Sequence, residues 1–261
     1  MSHELARRGH EVIVLATHEG EHEGVIYVPY QRALDRHSEY DADVFVTSRQ
    51  VAILENCPFK RRATFVWAHD IHCGTDAKVK SSLLGTDGIF ALSRWHKRHL
   101  HQVYPFLGDT HIVVTRHWLA PGRFAKTPRK VGNRLIYASS PDRGLERLLE
   151  LLPRIRAQVP DVELHVYYGF ETWRAMSASA KNQASLEQIS YYESLLIGER
   201  RQPGVYYHGR VGQDELAEAY LGSKIWSYPT WFSETSCISA MEAQAGGAVP
   251  VTSALAALIE T

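Results

Sequence analysis

The sequence predicts an α/β protein built from two doubly wound, parallel-sheet domains. Three observations predict it. Short apolar runs without charges recur along the chain, each the right length for a strand buried on both faces. Segments of helical periodicity separate these runs, and strands alternating with helices build a parallel sheet covered on both sides. A stretch of proline, glycine and basic residues, LAPGRFAKTPRKVGN at 119–133, interrupts the rhythm, which then restarts. The domains are therefore read as residues 1–120 and 134–261, with 121–133 as linker. A chain of 261 residues fits about two domains of roughly 100–200 residues each.

The elements follow in order. Residues 2–8 read as a helix stopped by Gly9, and 12–16, VIVLA, as a strand buried on both faces. Further strands are expected at 44–46, 63–68, 88–92 and 112–115, with Ser93 as N-cap of the helix after the third of these. In the second half, 135–138 reads as a strand. Residues 143–158 read as an amphipathic helix with Leu145, Leu148, Leu149, Leu152 and Ile155 on one stripe. A strand at 162–168 and a long polar helix at 173–197 come next. Residues 205–208, 214–221 and 224–228 then alternate strand, helix, strand. A helix at 236–244 stops at Gly246-Gly247, and 249–251 is a short last strand. Two such domains predict a ligand cleft between them, facing the strand C-termini.

Composition excludes several classes. Lys and Arg total 29 and Asp and Glu total 29, so no net charge draws the chain to nucleic acid, and no such partner is expected. Cys57, Cys73 and Cys237 form no CxxC pair, which fits a reducing, cytoplasmic setting without a disulfide framework. No apolar run approaches the about 20 residues of a membrane-spanning helix. No GxGxxG follows a strand, which disfavours an NAD-dependent dehydrogenase.

The most informative segment is 228–251, YPTWFSETSCISAMEAQAGGAVPV. It places Glu234 and Glu242 with seven residues between them. Spacing alone is weak, because Glu11/Glu19 and Glu163/Glu171 share it. Context sets the third pair apart. Glu234 follows a strand, a proline and an aromatic loop, and it precedes a helix. The amides of Thr235, Ser236 and Cys237 would then lie at a helix N-terminus, where unpaired N–H groups hold anions such as a diphosphate. Glu242, further along the helix, can accept hydrogen bonds from sugar hydroxyls. The plainer reading has Glu234 favouring a helix N-terminus and Glu242 facing solvent.

At these residues the sequence resembles the retaining GT-B glycosyltransferases of family 4. They carry a Glu-x7-Glu motif after a strand-proline-aromatic loop, matched here by Pro229, Phe232-Ser233-Glu234, Glu242-Ala243, Gly246-Gly247 and Val249-Pro250-Val251. The resemblance implies a GT-B fold, two Rossmann-like domains facing a cleft. It implies that Glu234 and the amides after it hold the transferred sugar, and that Glu242 binds the ribose of the nucleotide. The implied reaction moves a sugar from a nucleotide-diphosphate sugar to an acceptor hydroxyl, with retention and without a metal or other cofactor. The acceptor would be a sugar, a glycan or a lipid-linked molecule.

Other segments fit this reading in part. The strand-to-helix turn Ser139-Ser140-Pro141-Asp142-Arg143-Gly144 offers hydroxyls and a guanidinium to a phosphate. In the family this turn carries two basic residues. Arg143 matches the second, while Ser139 and Ser140 stand at the first, so Arg210 or another base is a candidate substitute. Gly209 matches a family turn beside the nucleotide base. The run Trp67-Ala68-His69-Asp70-Ile71-His72-Cys73 holds metal-ligand types but lacks a second cluster to complete a site. In the family, a His at this place lies against the donor sugar, and His69 is the match. The expected catalytic set is therefore Glu234, Arg143 and His69. The basic stretch Trp95-His96-Lys97-Arg98-His99-Leu100-His101 reads as a solvated helix face, with a peripheral membrane contact as the alternative. Both domains are expected to be incomplete. The first lacks a central first strand and the second its C-terminal part. A GT-B-like nucleotide-sugar epimerase and a non-catalytic, nucleotide-sugar-binding fragment are the competing functions.

Overall fold

The computed structural model describes residues 2–74, 76–108 and 111–261. The chain divides into two compact units. The first comprises Met1–Ala91 and Lys97–Thr115, and the second Leu92–His96 and Arg116–Thr261.

The first unit is built from helices α1 (Ser2–Arg7), α2 (Tyr30–Asp35) and α3 (Ala77–Leu84), with most of α4 (Arg94–Val103). Its strands are β1 (Val12–Ala16), β2 (Gly20–His22), β3 (Val25–Pro29), β4 (Ala42–Ser48), β5 (Arg61–Trp67), β6 (Gly88–Ala91) and β7 (Ile112–Val114). They form two sheets, one in the order β1-β3-β2 and one in the order β4-β5-β6-β7. All pairings are parallel except β2 with β3. The run VIVLA does form β1, yet every residue in it is only half-buried. The reason is that β1 has one strand neighbour, β3, and ends its sheet. Strand β2 escaped the sequence reading because GEH is short, polar and exposed, with no alternation to detect. Helix α3 was also missed. Asp76 caps it by accepting the Val79 N–H at 2.9 Å. Ser93 does cap α4 as expected, accepting the His96 N–H at 2.9 Å. Val66, Leu83, Ile89, Leu100 and Ile112 anchor the core of the larger sheet.

The second unit carries β8 (Asn133–Tyr137), α5 (Leu145–Gln158), β9 (Val162–Tyr167), α6 (Glu171–Ser179), α7 (Gln183–Leu196) and β10 (Val205–Gly209). It continues with α8 (Gln213–Gly222), β11 (Ile225–Tyr228), α9 (Ile238–Ala245) and β12 (Val249–Thr252). Its five strands are all parallel in the order β10-β9-β8-β11-β12. The chain begins in the middle at β8, runs outward to β10, and then returns to the other side of β8 with β11. Strand order therefore reverses between β8 and β11, and such a point leaves a crevice at the strand C-termini. The core joins the stripe Leu145, Leu148, Leu149 and Leu152 to Leu164, Val166, Ile189, Tyr220 and Trp226.

Three boundaries differ from the periodicity reading, each for a local reason. Helix α5 starts at Leu145 because Pro141–Arg143 makes one tight turn and Gly144, at φ 127°, stands before the helix. The long helix at 173–197 is two helices. Lys181 at φ 51° breaks it, and Asn182 starts α7 by accepting the Ser185 N–H at 3.1 Å. Helix α9 starts at Ile238, two residues later than expected, with Cys237 as N-cap.

Proline 153 lies inside α5 and has no N–H for the Leu149 carbonyl one turn back. Gln202 supplies the missing donor, its Nε2 reaching Leu149 O at 2.9 Å. Replacing Gln202→Ala is expected to cost about 1 kcal/mol of stability in urea unfolding. In a Pro153→Ala background, where residue 153 can donate to Leu149 itself, the same change should cost clearly less.

Candidate functional site

Most of the residues singled out in the second half of the sequence converge on the crevice between β8 and β11. These strands pair in parallel, Leu135 with Ile225 and Ile136 with Trp226, so the loops that leave them start side by side. The first loop, from Ala138 to Gly144, leads to α5. The second, from Pro229 to Cys237, leads to α9.

Glycine 144 holds the loops together. A Cβ on it would sit 2.6 Å from the Pro229 carbonyl oxygen, and its φ of 127° lies where side chains are strained. Hydrogen bonds shape the first loop: Tyr137 Oη donates to Ser140 O at 2.7 Å, and the Arg143 N–H to the same carbonyl at 3.0 Å. Thr230 Oγ1 accepts the Phe232 N–H at 2.9 Å in the second loop, and the Glu234 N–H donates to Phe232 O at 3.0 Å. A further bond ties the first turn of α9 to the first loop, Ser239 Oγ to Ala138 O at 2.9 Å.

At the centre, Arg143 Nη1 meets Glu234 Oε1 at 3.3 Å, with the Glu234 side chain 10% exposed and that of Arg143 34%. The guanidinium also lies over the Phe232 ring, 3.8 Å from its centroid. Burial is the largest single influence on Arg143 and works against its charge, but Glu234, Tyr228 and Asp142 together outweigh it and hold the guanidinium above its ordinary range. Tyr228 Oη donates to the same Glu234 oxygen at 2.7 Å and accepts from Ser139 Oγ at 3.3 Å. Ser139, Arg143, Pro229 and Glu234 are thus brought together, and Ser140 shares their loop.

Thr235 and Ser236 lie in the loop ahead of α9 rather than in its first turn, because the helix starts at Ile238. The amides at the helix start are those of Ile238, Ser239 and Ala240. The buried Cys237 thiol is pushed up to about 12, mainly by burial and next by Glu234, while the Ala240 and Ser239 amides pull the other way. Glu242 sits one turn into α9, half-buried. Burial raises its carboxyl and Arg123 partly offsets that.

Gly209 and Arg210 lie apart from this cluster, at the end of β10, two strands away from β8. Gly209 has φ 68° at a bulge against Tyr167. Arg210 bonds Thr172 Oγ1 at 3.4 Å, and its Cβ closes over Gly169. Next to this turn His165 bridges two partners, His208 Nε2 at 2.9 Å and Glu163 Oε2 at 3.1 Å. Burial lowers both imidazoles.

His69 belongs to the first unit, just past β5. Its ring lies 4.7 Å from that of Trp67, and the neighbouring Asp70 pairs with Arg49 at 3.3 Å. His96 corrects the reading of 95–101 as a wholly solvated face. It is fully buried, and its Nδ1 accepts the Leu92 N–H at 3.2 Å. Among the described residues, no three His, Cys, Asp or Glu side chains are grouped to hold a metal, and no helix is long and apolar enough to cross a membrane.

Sequence reasoning missed Tyr228 and the stacking of Phe232 on Arg143. The available signal for Tyr228 was its place as the last residue of a strand, directly before the loop that opens at Pro229.

The fold is that of the GT-B glycosyltransferases. A glycosyltransferase from Rickettsia africae ESF-5 matches 98% of this chain and 74% of its own, at TM-score 0.70 and 14% identity. A point mutant of S. aureus TarM, in complex with fondaparinux, alpha-GlcNAc-glycerol and UDP, matches 85% of this chain and 44% of its own, at TM-score 0.59 and 11% identity. A trehalose-6-phosphate synthase, analysed with bisubstrate glycomimetics for glycosyl transfer with retention, matches 83% of this chain and 60% of its own, at TM-score 0.57 and 11% identity. The chain thus spans less than two thirds of the latter two. No protein-family model and no curated protein matches the chain.

Gly144→Ala is expected to destabilise the second unit by about 1–3 kcal/mol, because the strained φ and the Pro229 carbonyl cannot both be relieved. Denaturant unfolding followed by tryptophan fluorescence, with Trp226 in the core of that unit, measures the loss.

Proposed function

We propose that this chain acts as a retaining GT-B glycosyltransferase of family 4. It moves a hexose-type sugar from a nucleotide-diphosphate donor to a hydroxyl of a sugar, glycan or lipid-linked acceptor, in cytoplasmic polysaccharide biosynthesis. The observation that carries the reading is the meeting of Arg143 and Glu234 where strand order reverses, beside the start of α9. The UDP held by TarM and the retention studied for the trehalose-6-phosphate synthase support it.

The residues divide the work by chemistry. The hard step is departure of the nucleoside diphosphate as negative charge builds on its oxygen. Arg143 offers a forked set of N–H donors to that charge and the Ser140 hydroxyl adds another, while Ser139 in the same loop gives its proton to Tyr228. The loop Thr235–Cys237 and the amides at the start of α9 complete the anion site. Glu234 accepts hydrogen bonds from hydroxyls of the transferred sugar, and Glu242 from the ribose. Pro229 shapes the loop, Gly209 borders the nucleotide base, and Arg210 beside it is the candidate further cation for the donor. In the first unit, His69 is the residue assigned to the donor sugar. The acceptor oxygen bonds to C1 on the face the diphosphate leaves. The C1–O bond to phosphate breaks, and the acceptor proton passes to the departing phosphate oxygen. No cofactor enters these steps.

Titration calorimetry against UDP-, GDP-, ADP- and dTDP-sugars tests the reading. The wild-type chain is expected to bind at least one donor, and Arg143→Ala and Glu234→Ala should each weaken it by about tenfold or more, roughly 1.4 kcal/mol. Unchanged binding in both variants would overturn the site. A new nucleotide-sugar epimer formed without any acceptor would overturn the reaction.

A further inference from the structure

Tyr228 and Arg143 both contact Glu234 Oε1, but they are held very differently. The Tyr228 ring is fully buried, with the Trp226 ring at 5.0 Å and the Tyr137 ring at 5.8 Å. That packing leaves the phenol one freedom, rotation of its O–H. Ser139 Oγ donates to the phenol oxygen, so the phenol proton is turned to Glu234. Burial, reinforced by the Glu234 charge, holds the phenol far above its ordinary range, and it stays a donor. The Arg143 side chain is one third exposed and stacks on Phe232, itself exposed.

A diphosphate competes for the N–H groups of Arg143, since paired phosphate contacts are strong and match its forked donors. It does not compete for the single buried proton of Tyr228. Among the described residues, Glu234 Oε2 accepts no hydrogen bond, so one carboxylate oxygen is held and the other is available. We propose that Tyr228 is a positioning residue: it keeps the Glu234 carboxylate aimed at the donor sugar when Arg143 turns to the diphosphate. This rests on the donor-site reading above. The phenol acts through Glu234 and touches no reacting atom.

Calorimetry on the full chain tests it, with UDP-glucose, GDP-mannose and ADP-glucose as probes and UDP, GDP and ADP as their sugar-free partners. Tyr228→Phe keeps the buried ring, and circular dichroism checks that the variant is folded. It is expected to weaken the bound nucleotide-sugar about fivefold or more, in keeping with loss of a hydrogen bond to a charged group. The matching nucleoside diphosphate should change by less than about twofold. On a Glu234→Ala background the same substitution should add almost nothing, because the residue it acts through is gone. Equal weakening of both ligands, unchanged nucleotide-sugar binding, or full additivity with Glu234→Ala would each overturn the proposal. A wild-type chain that binds none of the six probes would overturn the donor site itself, and this inference with it.

Discussion

The parallel pairing of β8 with β11 is the constraint on which the rest of the second unit depends. Strands adjacent in the sheet but distant in sequence release their loops at the same edge, and only there can Ser139–Gly144 meet Pro229–Glu234. The meeting is close enough that Gly144 has no room for a Cβ against the Pro229 carbonyl. Moving β11 by one strand would part Arg143 from Glu234 by about 4.8 Å more, beyond any ion pair. The buried side chains below, Trp226, Tyr228, Ile136 and Tyr137, lock that pairing, so site geometry and core packing are one problem.

The site shows how a neutral chain organises local charge. Arg143 is too buried to be freely hydrated and too exposed to be permanently committed. Its ion pair with Glu234 is therefore exchangeable, as partly exposed pairs are weak and screened. Phe232 supports the guanidinium without consuming its N–H donors, leaving them for an oxyanion. Glu234, deeper in, takes its orientation from Tyr228. Overall charge balance carries no information about such an arrangement.

Much of the architecture was legible in the sequence because buried parallel strands announce themselves as charge-free runs. LIY in β8 and IWSY in β11 are such runs, and VIVLA forms the half-buried β1. The Glu234 segment was legible because a strand, a proline, an aromatic loop and a helix come in that order. What failed has local causes. The polar β2 has no pattern to read, and a positive φ at Lys181 splits an apparently continuous helix. Helix α9 starts at Ile238 behind the buried Cys237, with no side-chain cap to mark the place in the sequence. Arg210 was a candidate second basic residue only through the family resemblance. Strand order placed it two strands off, and order across a sheet is not written in local periodicity. Tyr228 looked like one more buried strand aromatic, since nothing in the sequence says where a phenol hydroxyl points.

Hydrogen–deuterium exchange of the chain with and without saturating nucleoside diphosphate tests the central claim most directly, since it reports where a diphosphate is held. The account predicts that protection concentrates in 138–145 and 229–242, the two loops joined at Gly144, and that Arg143→Ala removes it. Protection confined to other segments of the second unit, with these two loops exchanging as before, would contradict the claim.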